Sequence, residues 1–526
     1  MQLCRRIVQF FMQHWWFVSY LLLFAVAISF LAYFQTTPAF PDPDSFYHAK
    51  MALLIADEGL PTSFPWLQAT VLRDSFIDQH LLYHVFLIPF VKLMDPLQGA
   101  KFANVLIGTA LIVFFYHLLR SQKVKFAFWF SAALLATMPF TFRISLVKAP
   151  GFSILLLLVG LYCILKHRHR ALFLLSMLYV WAYGGFLLIT VLAGSYAFIS
   201  VLWNWAERRP QNSLWRIASH SHEVKLFLSA AGGVIAGLVI NPYFPQNLTF
   251  YWHQLVKIGI VNYQNVISVG NEWYPYKFVD LMASTTIVSI ILLLGLYLFF
   301  LRYRKPTKKL ITSFVLFLFF MFITLKSRRY VEYYVPFAII FDAFLVSHLI
   351  RSVDWRELWR SIAGFYQKRR VISTLLIVYV LVMLPTVIIR DVKKTYADFK
   401  NGISVHRFED VSVWLMRYSS PGDVVFHSSW DEFPILFYHN AQNYYTAGLD
   451  PTFTYEYSEE LYRKMVDITV GTQKSNLHED IAGKFGASFV FVEANHGQMD
   501  GNIQRSPGFR RVYHDDEATI YEVLSL

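Results

Sequence analysis

The sequence contains few charged residues and few cysteines. Asp, Glu, Lys and Arg make up 16% of its 526 residues, whereas soluble proteins contain roughly 25%. Hydrophobic residues account for 56% and aromatic residues for 18%, so water cannot solvate much of the surface. The only cysteines, Cys4 and Cys163, cannot form a disulfide framework. The sequence also has no repeat at a solenoid period and no low-complexity linker.

The net charge of +12 is not distributed as it would be on a nucleic-acid-binding surface. Lys and Arg form short clusters between apolar stretches, as the positive-inside rule predicts for a membrane protein. The clusters read RSQKVK, KHRHR, AERRP, RYRKPTKK and YQKRR. The alternate segments hold Asp42, Asp44, Asp74, Asp78, Glu272 and Asp280. We therefore predict an integral membrane protein that contacts membrane lipids and no nucleic acid.

Long apolar runs predict the membrane helices, since about 17 to 25 residues are needed to cross the hydrocarbon core. The runs lie at 15–35, 100–119, 125–141, 152–165, 171–187, 188–204, 226–241, 281–301, 310–325, 334–350 and 371–389. A shorter apolar piece at 81–94 is re-entrant, interfacial or an extra half-span. The pattern predicts a polytopic α-helical membrane protein with about 11 to 13 transmembrane helices.

The alternation of the runs predicts which segments share a face of the membrane. The acidic loop 36–80, the long loop 242–280 and the C-terminal part fall on the outer face when the N-terminus is cytoplasmic. After about residue 395, short apolar runs alternate with helical patterns and turn signals, which indicates an α/β domain. We therefore expect a membrane domain over 1–394 and an extracytoplasmic α/β domain over 395–526.

The first apolar run follows Arg5 and Arg6, as in a signal peptide. No small-residue cleavage site comes before the acidic loop, which favours a retained first helix. The sequence has few glycosylation sequons and no obvious endoplasmic-reticulum signal. We therefore predict the bacterial inner membrane, with a cytoplasmic N-terminus and a periplasmic or extracellular C-terminal domain.

Two carboxylates directly follow the first run. Asp42 and Asp44 stand close to Tyr47 and His48 in the stretch FPDPDSFYH. Capping of the helix that follows would explain one carboxylate, but hardly two. Two carboxylates at a membrane surface favour a metal ligand or a general base.

The rest of the 36–80 loop gives a weaker signal. His80 and His84 are four residues apart and would share a helix face. The sequence there lacks the HExxH pattern, which argues against zinc chemistry. Asp78 precedes the histidines, and an ordinary polar loop and a binding site are equally good interpretations.

Charged residues in two later outer segments also need partners. Glu272 stands among aromatic residues in NEWYP, where an unpaired carboxylate is costly, so it binds a ligand or pairs with Lys277. Arg328 and Arg329 lie on the face that should be poor in basic residues. Arginine binds phosphate oxygens well, which favours a phosphate contact over a structural pair with Glu332.

The C-terminal part contains one further candidate site. Trp430 and Asp431 come shortly after the apolar strand predicted at 423–426. Residues just beyond the carboxyl end of a strand are well placed to form a binding site. The alternative is that Trp430 is simply a core residue.

Taken in order, these motifs resemble those of the catalytic subunit of oligosaccharyltransferase and its relatives among the GT-C glycosyltransferases. DSFYHAK, which begins at Asp44, is similar to the family's first-loop motif and implies a catalytic, metal-associated role for Asp44. The stretch around Glu272 is similar to a late-loop glutamate motif, and RRY to arginines at an outer helix end. Ser429, Trp430 and Asp431 resemble a Trp-Trp-Asp signature that recognises the acceptor.

Two departures from the family pattern limit the resemblance. The family has a second acidic pair after the third span, where this sequence reads RISLVKAPG. Lys148 in that stretch cannot ligate a metal, although it could neutralise a phosphate. The first tryptophan of the acceptor signature is replaced by Ser429, which argues against asparagine glycosylation of proteins. A lipid or polysaccharide acceptor fits better than a protein.

The resemblance implies glycosyl transfer from a polyprenyl-phosphate or pyrophosphate donor to an acceptor protein, lipid or polysaccharide on the outer face of the membrane. The expected site residues fall into four groups. They are Asp42, Asp44 and Glu272 for catalysis, Arg328, Arg329 and Lys148 for the donor phosphate, Trp430, Asp431, Tyr47 and His48 for the acceptor, and Asp44 with Asp78 for a metal. The metal would be Mg²⁺ or Mn²⁺, and a metal-independent reaction is the alternative. Two other functions stay open: a transporter or flippase for a lipid-linked or anionic substrate, supported by Asp342 inside a run, and a non-catalytic subunit of the same fold.

Overall fold

The computed structural model describes residues 15–208, 219, 221–261, 263–301, 305–350, 360, 363–364 and 366–525. The N-terminal segment with Arg5 and Arg6 lies outside the described residues. So do parts of the stretches 207–225, 302–309 and 351–370.

Most of the described residues between 15 and 400 are helical. In chain order the helices are α1 (Trp15–Gln35), α2 (Asp44–Glu58), α3 (Leu81–Leu93), α4 (Pro96–Ser121), α5 (Ala127–Ala136), α6 (Met138–Ser145), α7 (Pro150–Leu165), α8 (His169–Ala182), α9 (Leu187–Arg208), α10 (His222–Val239), α11 (Gln246–Trp252), α12 (Phe278–Ser284), α13 (Thr286–Leu301), α14 (Lys308–Lys326), α15 (Val331–Ile350) and α16 (Arg370–Lys400). A π-helix over His253–Val261 and 3₁₀ turns over Asn271–Trp273 and Arg328–Tyr330 complete this part.

Within the described residues, seven helices are long and apolar enough to cross a membrane, or nine if two bent pairs each form one span. The seven comprise α1, α4, α9, α10, α14, α15 and α16, and three shorter apolar helices, α3, α7 and α8, accompany them. Each predicted apolar run corresponds to one of these helices or bent pairs. The count by length and composition is below the predicted 11 to 13 because the prediction included the short helices. The predicted polytopic helical fold is confirmed.

The bent pair α5–α6 differs from the single span predicted at 125–141. The two helices meet at 71°, and the joining residue Thr137 has an extended backbone (φ −87°, ψ 95°). Pro139 follows in the first turn of α6, where proline is tolerated because its missing N–H would have no helical partner. The bend turns α6 aside, and the loop after it carries Lys148 to the site described below.

The C-terminal part is an α/β domain. Its five-stranded sheet has the order β4-β3-β5-β7-β6, with the strands β3 (Val424–His427), β4 (Tyr444–Tyr445), β5 (Ala487–Glu493), β6 (Phe509–His514) and β7 (Ala518–Val523). β3 runs parallel to β4 and β5, whereas β7 is antiparallel to β5 and β6. The helices are α17 (Glu409–Tyr418), α18 (Phe433–His439), α19 (Pro451–Tyr457), α20 (Glu459–Val470) and α21 (Gly497–Arg505), with a π-helix over Glu479–Lys484.

The 36–80 loop is attached directly to the C-terminal domain. β1 (Ala39–Phe40) pairs antiparallel with β2 (Ile403–Ser404) just after α16. A Cβ at Gly402 would collide with the carbonyl of Phe40, so glycine permits this close approach. Further on, the indole of Trp66 donates to the Ala441 carbonyl over 2.7 Å. The loop and the sheet therefore lie at the same end of the helical part.

Candidate functional site

A cavity of about 580 Å³ lies where the helical part meets the C-terminal domain. It contains all the predicted site residues except Arg328 and Asp78. Those present are Asp42, Asp44, Tyr47, His48, Lys148, Glu272, Arg329, Trp430 and Asp431. Segments more than a hundred residues apart in the sequence thus line one space, which is large enough for a small ligand.

The loop after α6 places Lys148 between two carboxylates. Its Nζ lies 2.8 Å from an oxygen of Asp42 and 2.8 Å from an oxygen of Asp44. The other oxygen of Asp42 accepts the backbone N–H of Asp44 over 3.0 Å. Asp42 therefore supports the turn into α2, and the Asp44 carboxylate is left to face the cavity and Lys148.

This arrangement sets the protonation of both partners. Burial raises the pKa of Asp44 to about 6, an effect that Lys148 opposes and Asp42 reinforces. Burial would lower the pKa of Lys148, but Asp42 and Asp44 together raise it above its usual value, so the ammonium stays charged. At neutral pH the cavity therefore holds an ionised Asp44 that is more basic than an ordinary carboxylate.

Glu272 belongs to a second, buried ion network. One of its oxygens lies 2.6 Å from the Arg143 guanidinium, and the other lies 3.5 Å from that of Arg329. Arg143 also binds Glu332 over 2.7 Å, and the Glu332 side chain is fully buried. Although burial opposes it, the two arginines lower the pKa of Glu272. Glu272 is thus a permanent anion that holds two cations in place.

The network bears on the alternatives that the sequence left open for Glu272 and Glu332. Glu272 pairs with Arg143 and Arg329 rather than with Lys277, and Glu332 pairs with Arg143 rather than with an arginine of the RRY stretch. Arg143 was not among the predicted site residues. Its only signal in the sequence was a basic residue where the family pattern has an acidic one.

Arg328 and Arg329 point in different directions. The guanidinium of Arg329 lies over the ring of Trp273, 4.4 Å from its centroid, and faces the cavity. Arg328 instead donates to the Pro275 carbonyl over 3.2 Å and is exposed. Successive residues of a 3₁₀ turn are about 120° apart, so both side chains cannot face one ligand. The structure thus brings Arg329, but not Arg328, to the cavity, and the phosphate contact of Arg328 stays a prediction.

Asp78 is also absent from the cavity lining. Its carboxylate is buried and lies 2.7 Å from Nδ1 of His84, and it accepts the backbone N–H of His80 over 2.9 Å. It is therefore not placed to share a metal with Asp44, because its oxygens already have buried donors.

Trp430 and Asp431 follow β3 and line the cavity on the side of the C-terminal domain. Trp430 is half-buried, whereas Asp431 is exposed. The indole of Trp430 lies near Gly270, since a Cβ added to that glycine would be 4.0 Å from Cη2 of Trp430. Trp430 is thus not a core residue, and Asp431, which accepts a hydrogen bond from the Ser429 hydroxyl, is open to a ligand.

The residues of the cavity do not fit the expected divalent cation. Asp42 and Asp44 share Lys148, and Glu272 is bound by Arg143 and Arg329. Asp44 thus already has a cationic partner, and the other expected ligand, Asp78, lies outside the cavity lining and is hydrogen-bonded to His84. A separate group that could hold a metal, formed by Glu432, Glu493 and His496, lies in the C-terminal domain.

Comparisons with known proteins bear on the fold. No protein-family model and no curated protein sequence matches this chain. Among solved structures, the chain is similar to the oligosaccharyltransferase AglB of Archaeoglobus fulgidus in complex with an inhibitory peptide and a dolichol-phosphate. The TM-score is 0.63 at 13% identity, over 92% of this chain and 70% of that one.

It is also similar to ArnT of Cupriavidus metallidurans bound to undecaprenyl phosphate, with a TM-score of 0.56 at 13% identity over 97% of this chain and 98% of ArnT. The arabinofuranosyltransferase AftD from mycobacteria gives a TM-score of 0.50 at 12% identity, over 98% of this chain and 40% of AftD. The chain therefore has the fold of the GT-C glycosyltransferases and is divergent in sequence, as the motifs predicted.

Proposed function

We propose that this protein is a membrane glycosyltransferase, which transfers a sugar from a polyprenyl-phosphate or pyrophosphate donor to an acceptor at the membrane surface. The observation that carries the proposal is the cavity itself. It combines a basic carboxylate, Asp44, with the cations Lys148 and Arg329 at the junction between membrane helices and the C-terminal domain. The known structures of this fold include complexes with dolichol-phosphate and undecaprenyl phosphate, which supports a donor of that class.

Asp44 acts as the general base. Its carboxylate takes the proton from an acceptor hydroxyl while the hydroxyl oxygen forms a bond to the anomeric carbon. The bond between that carbon and the phosphate oxygen breaks, and its electron pair leaves with the lipid phosphate. A pKa of about 6 leaves Asp44 ionised at neutral pH and basic enough to assist.

Arg329 binds the donor phosphate. It is the more loosely held of the two arginines on Glu272, at 3.5 Å against 2.6 Å for Arg143, so a phosphate can compete for it. Lys148 supplies a second positive charge close to Asp44. Trp430 and Asp431 contact the acceptor from the opposite side of the cavity.

The same geometry supports transfer without a divalent metal. The Lys148 ammonium bridges the carboxylates of Asp42 and Asp44 and neutralises charge there. We expect transfer to be unchanged by EDTA, measured as label leaving the lipid before and after chelation. Loss of transfer in EDTA, restored by Mg²⁺ or Mn²⁺, would show that a metal takes part.

The transfer rate should also depend on pH through Asp44. Its ionised form is the base, so protonation below about pH 6 should lower kcat/KM about tenfold per pH unit. Lys148 lowers the pKa of Asp44. The variant Lys148→Met should therefore raise the pH below which kcat/KM falls. A pH profile that is flat from 5 to 7 in the wild type would contradict the assignment.

The function itself is tested with purified protein in nanodiscs. Radiolabelled polyprenyl-phosphate- and pyrophosphate-linked sugars are incubated with a lipid, a polysaccharide or a sequon-containing peptide as acceptor. Appearance of label in an acceptor with the intact protein supports the proposal. Saturable binding of the lipid phosphate without turnover of any donor would favour a carrier or a non-catalytic protein of this fold.

The transporter alternative gains no support from Asp342. This residue is fully buried within α15 and does not line the cavity. The orientation in a bacterial inner membrane stays a prediction, as does the preference for a lipid or polysaccharide acceptor.

A further inference from the structure

Three buried polar side chains form a hydrogen-bonded chain that ends at the cavity. Asp78 lies 2.7 Å from Nδ1 of His84, and Nε2 of His84 lies 2.7 Å from Nδ1 of His48. All three residues are less than 5% exposed. Only His48 lines the cavity. The roles proposed above use neither Asp78 nor His84.

These hydrogen bonds indicate which nitrogen of each imidazole carries a proton. A carboxylate only accepts, so Nδ1 of His84 donates to Asp78, and we assign the lone pair of that ring to Nε2. Nδ1 of His48 must then donate to it. Burial, with His84 and His80 nearby, lowers the pKa of His48 well below its usual value, so the His48 ring is neutral. Its remaining nitrogen, Nε2, is therefore a hydrogen-bond acceptor.

This acceptor is available to a ligand. No described residue hydrogen-bonds to Nε2 of His48, although Nδ1 is held by His84. Asp44 and His48 are four residues apart on α2 and share a face. Their side chains are thus separated by about one helical turn, ~5 Å along the axis. That distance is within the span of one sugar ring.

We propose that Nε2 of His48 accepts a hydrogen bond from a hydroxyl group of the transferred sugar, and that Asp78 and His84 position it for this task. The proposal rests on the glycosyltransferase function proposed above. It adds a specificity: the sugar must present a hydroxyl donor at one ring position. A sugar with hydrogen or fluorine there lacks the donor and leaves Nε2 unpaired.

The test uses a donor that the wild-type protein transfers, together with its monodeoxy and monofluoro analogues. Wild type should lose roughly 10- to 100-fold in kcat/KM at one ring position when the hydroxyl is removed. Fluorine at that position should not restore the rate, since it cannot donate. In His48→Ala the hydroxyl and deoxy donors should react at equal rates.

Asp78→Asn provides the second variant. The backbone N–H of His80 donates to Asp78 over 2.9 Å, and the carbonyl oxygen of the new Asn should accept the same hydrogen bond. The NH₂ group of the Asn then faces His84 and donates to it. His84 then carries its proton on Nε2 and donates to Nδ1 of His48. The proton of His48 moves to Nε2, which becomes a donor. We expect the preference for hydroxyl over fluorine to disappear. A role in folding alone would lower all rates and leave that ratio unchanged.

His80→Ala is the matched control, because it removes a cavity-lining imidazole that is not part of the hydrogen-bonded series Asp78, His84 and His48. This variant should keep the wild-type selectivity. Wild-type selectivity retained in His48→Ala, or no sensitive position in wild type, would overturn the inference while the function stands. Failure of wild type to transfer from any donor would instead overturn the function.

Discussion

Asp44→Asn should lower glycosyl transfer by about 10²- to 10⁴-fold, the contribution expected of a general base. The amide cannot take the acceptor proton at any accessible pH. Lys148 keeps its pair with Asp42, so the folded structure should survive the change. The measurement is kcat/KM for the labelled donor, beside a thermal unfolding curve of the same preparation.

Asp42→Asn is the control for this prediction. It removes one charge beside Lys148 but keeps an oxygen that can accept the Asp44 N–H. Its rate should fall much less than that of Asp44→Asn, because Asp44 is still present as the base. Near-normal transfer by Asp44→Asn would contradict the mechanism. An equal fall of kcat/KM in Asp44→Asn and Asp42→Asn would show that the two carboxylates act only through their charge.

Arg143→Ala should cause the largest loss of stability. It leaves the fully buried Glu332 carboxylate without its cation and takes the closer of two partners from Glu272. Removal of one partner of a buried ion pair costs about 3–5 kcal/mol. We expect a clear fall in the midpoint of thermal unfolding in nanodiscs.

Two further variants separate charge pairing from simple truncation of an arginine. Arg328→Ala truncates an exposed arginine at the same end of the molecule and should change the free energy of unfolding by no more than about 0.5 kcal/mol. The double variant Arg143→Ala with Glu332→Gln should regain part of the loss, since no unpaired charge is then buried. If Arg143→Ala is as stable as wild type, the network does not contribute to the fold.

The sequence was sufficient for the membrane helices because apolar length is a local property. Each predicted run coincided with a helix or a bent pair. The bend at Thr137 was missed because the apolar pattern continues through it. The polar pattern around Asp44 drew attention to a residue that lines the cavity, since two carboxylates next to aromatic residues have few purely structural explanations, and the role of Asp44 stays a prediction.

Pairings between distant residues were not predictable in the same way. Arg143 meets Glu332 across 189 positions, and Lys148 meets Asp42 across 106; no local pattern encodes either distance. The sequence also does not predict in which direction a side chain points, and the neighbouring residues Arg328 and Arg329 point in different directions. His80 and His84 do lie close, with ring centroids 6.1 Å apart, but their spacing did not reveal the hydrogen bonds of His84 to Asp78 and His48.

The short ladder between β1 and β2 has a practical consequence for chimeric proteins. β1, which follows α1, pairs with β2, which follows α16. In the same loop, Trp66 donates a hydrogen bond to the Ala441 carbonyl. A graft that replaces only the residues after 400 would leave these groups without partners. An exchange of acceptor specificity between proteins of this fold should therefore transplant 36–80 together with the α/β domain, as a single discontinuous cassette.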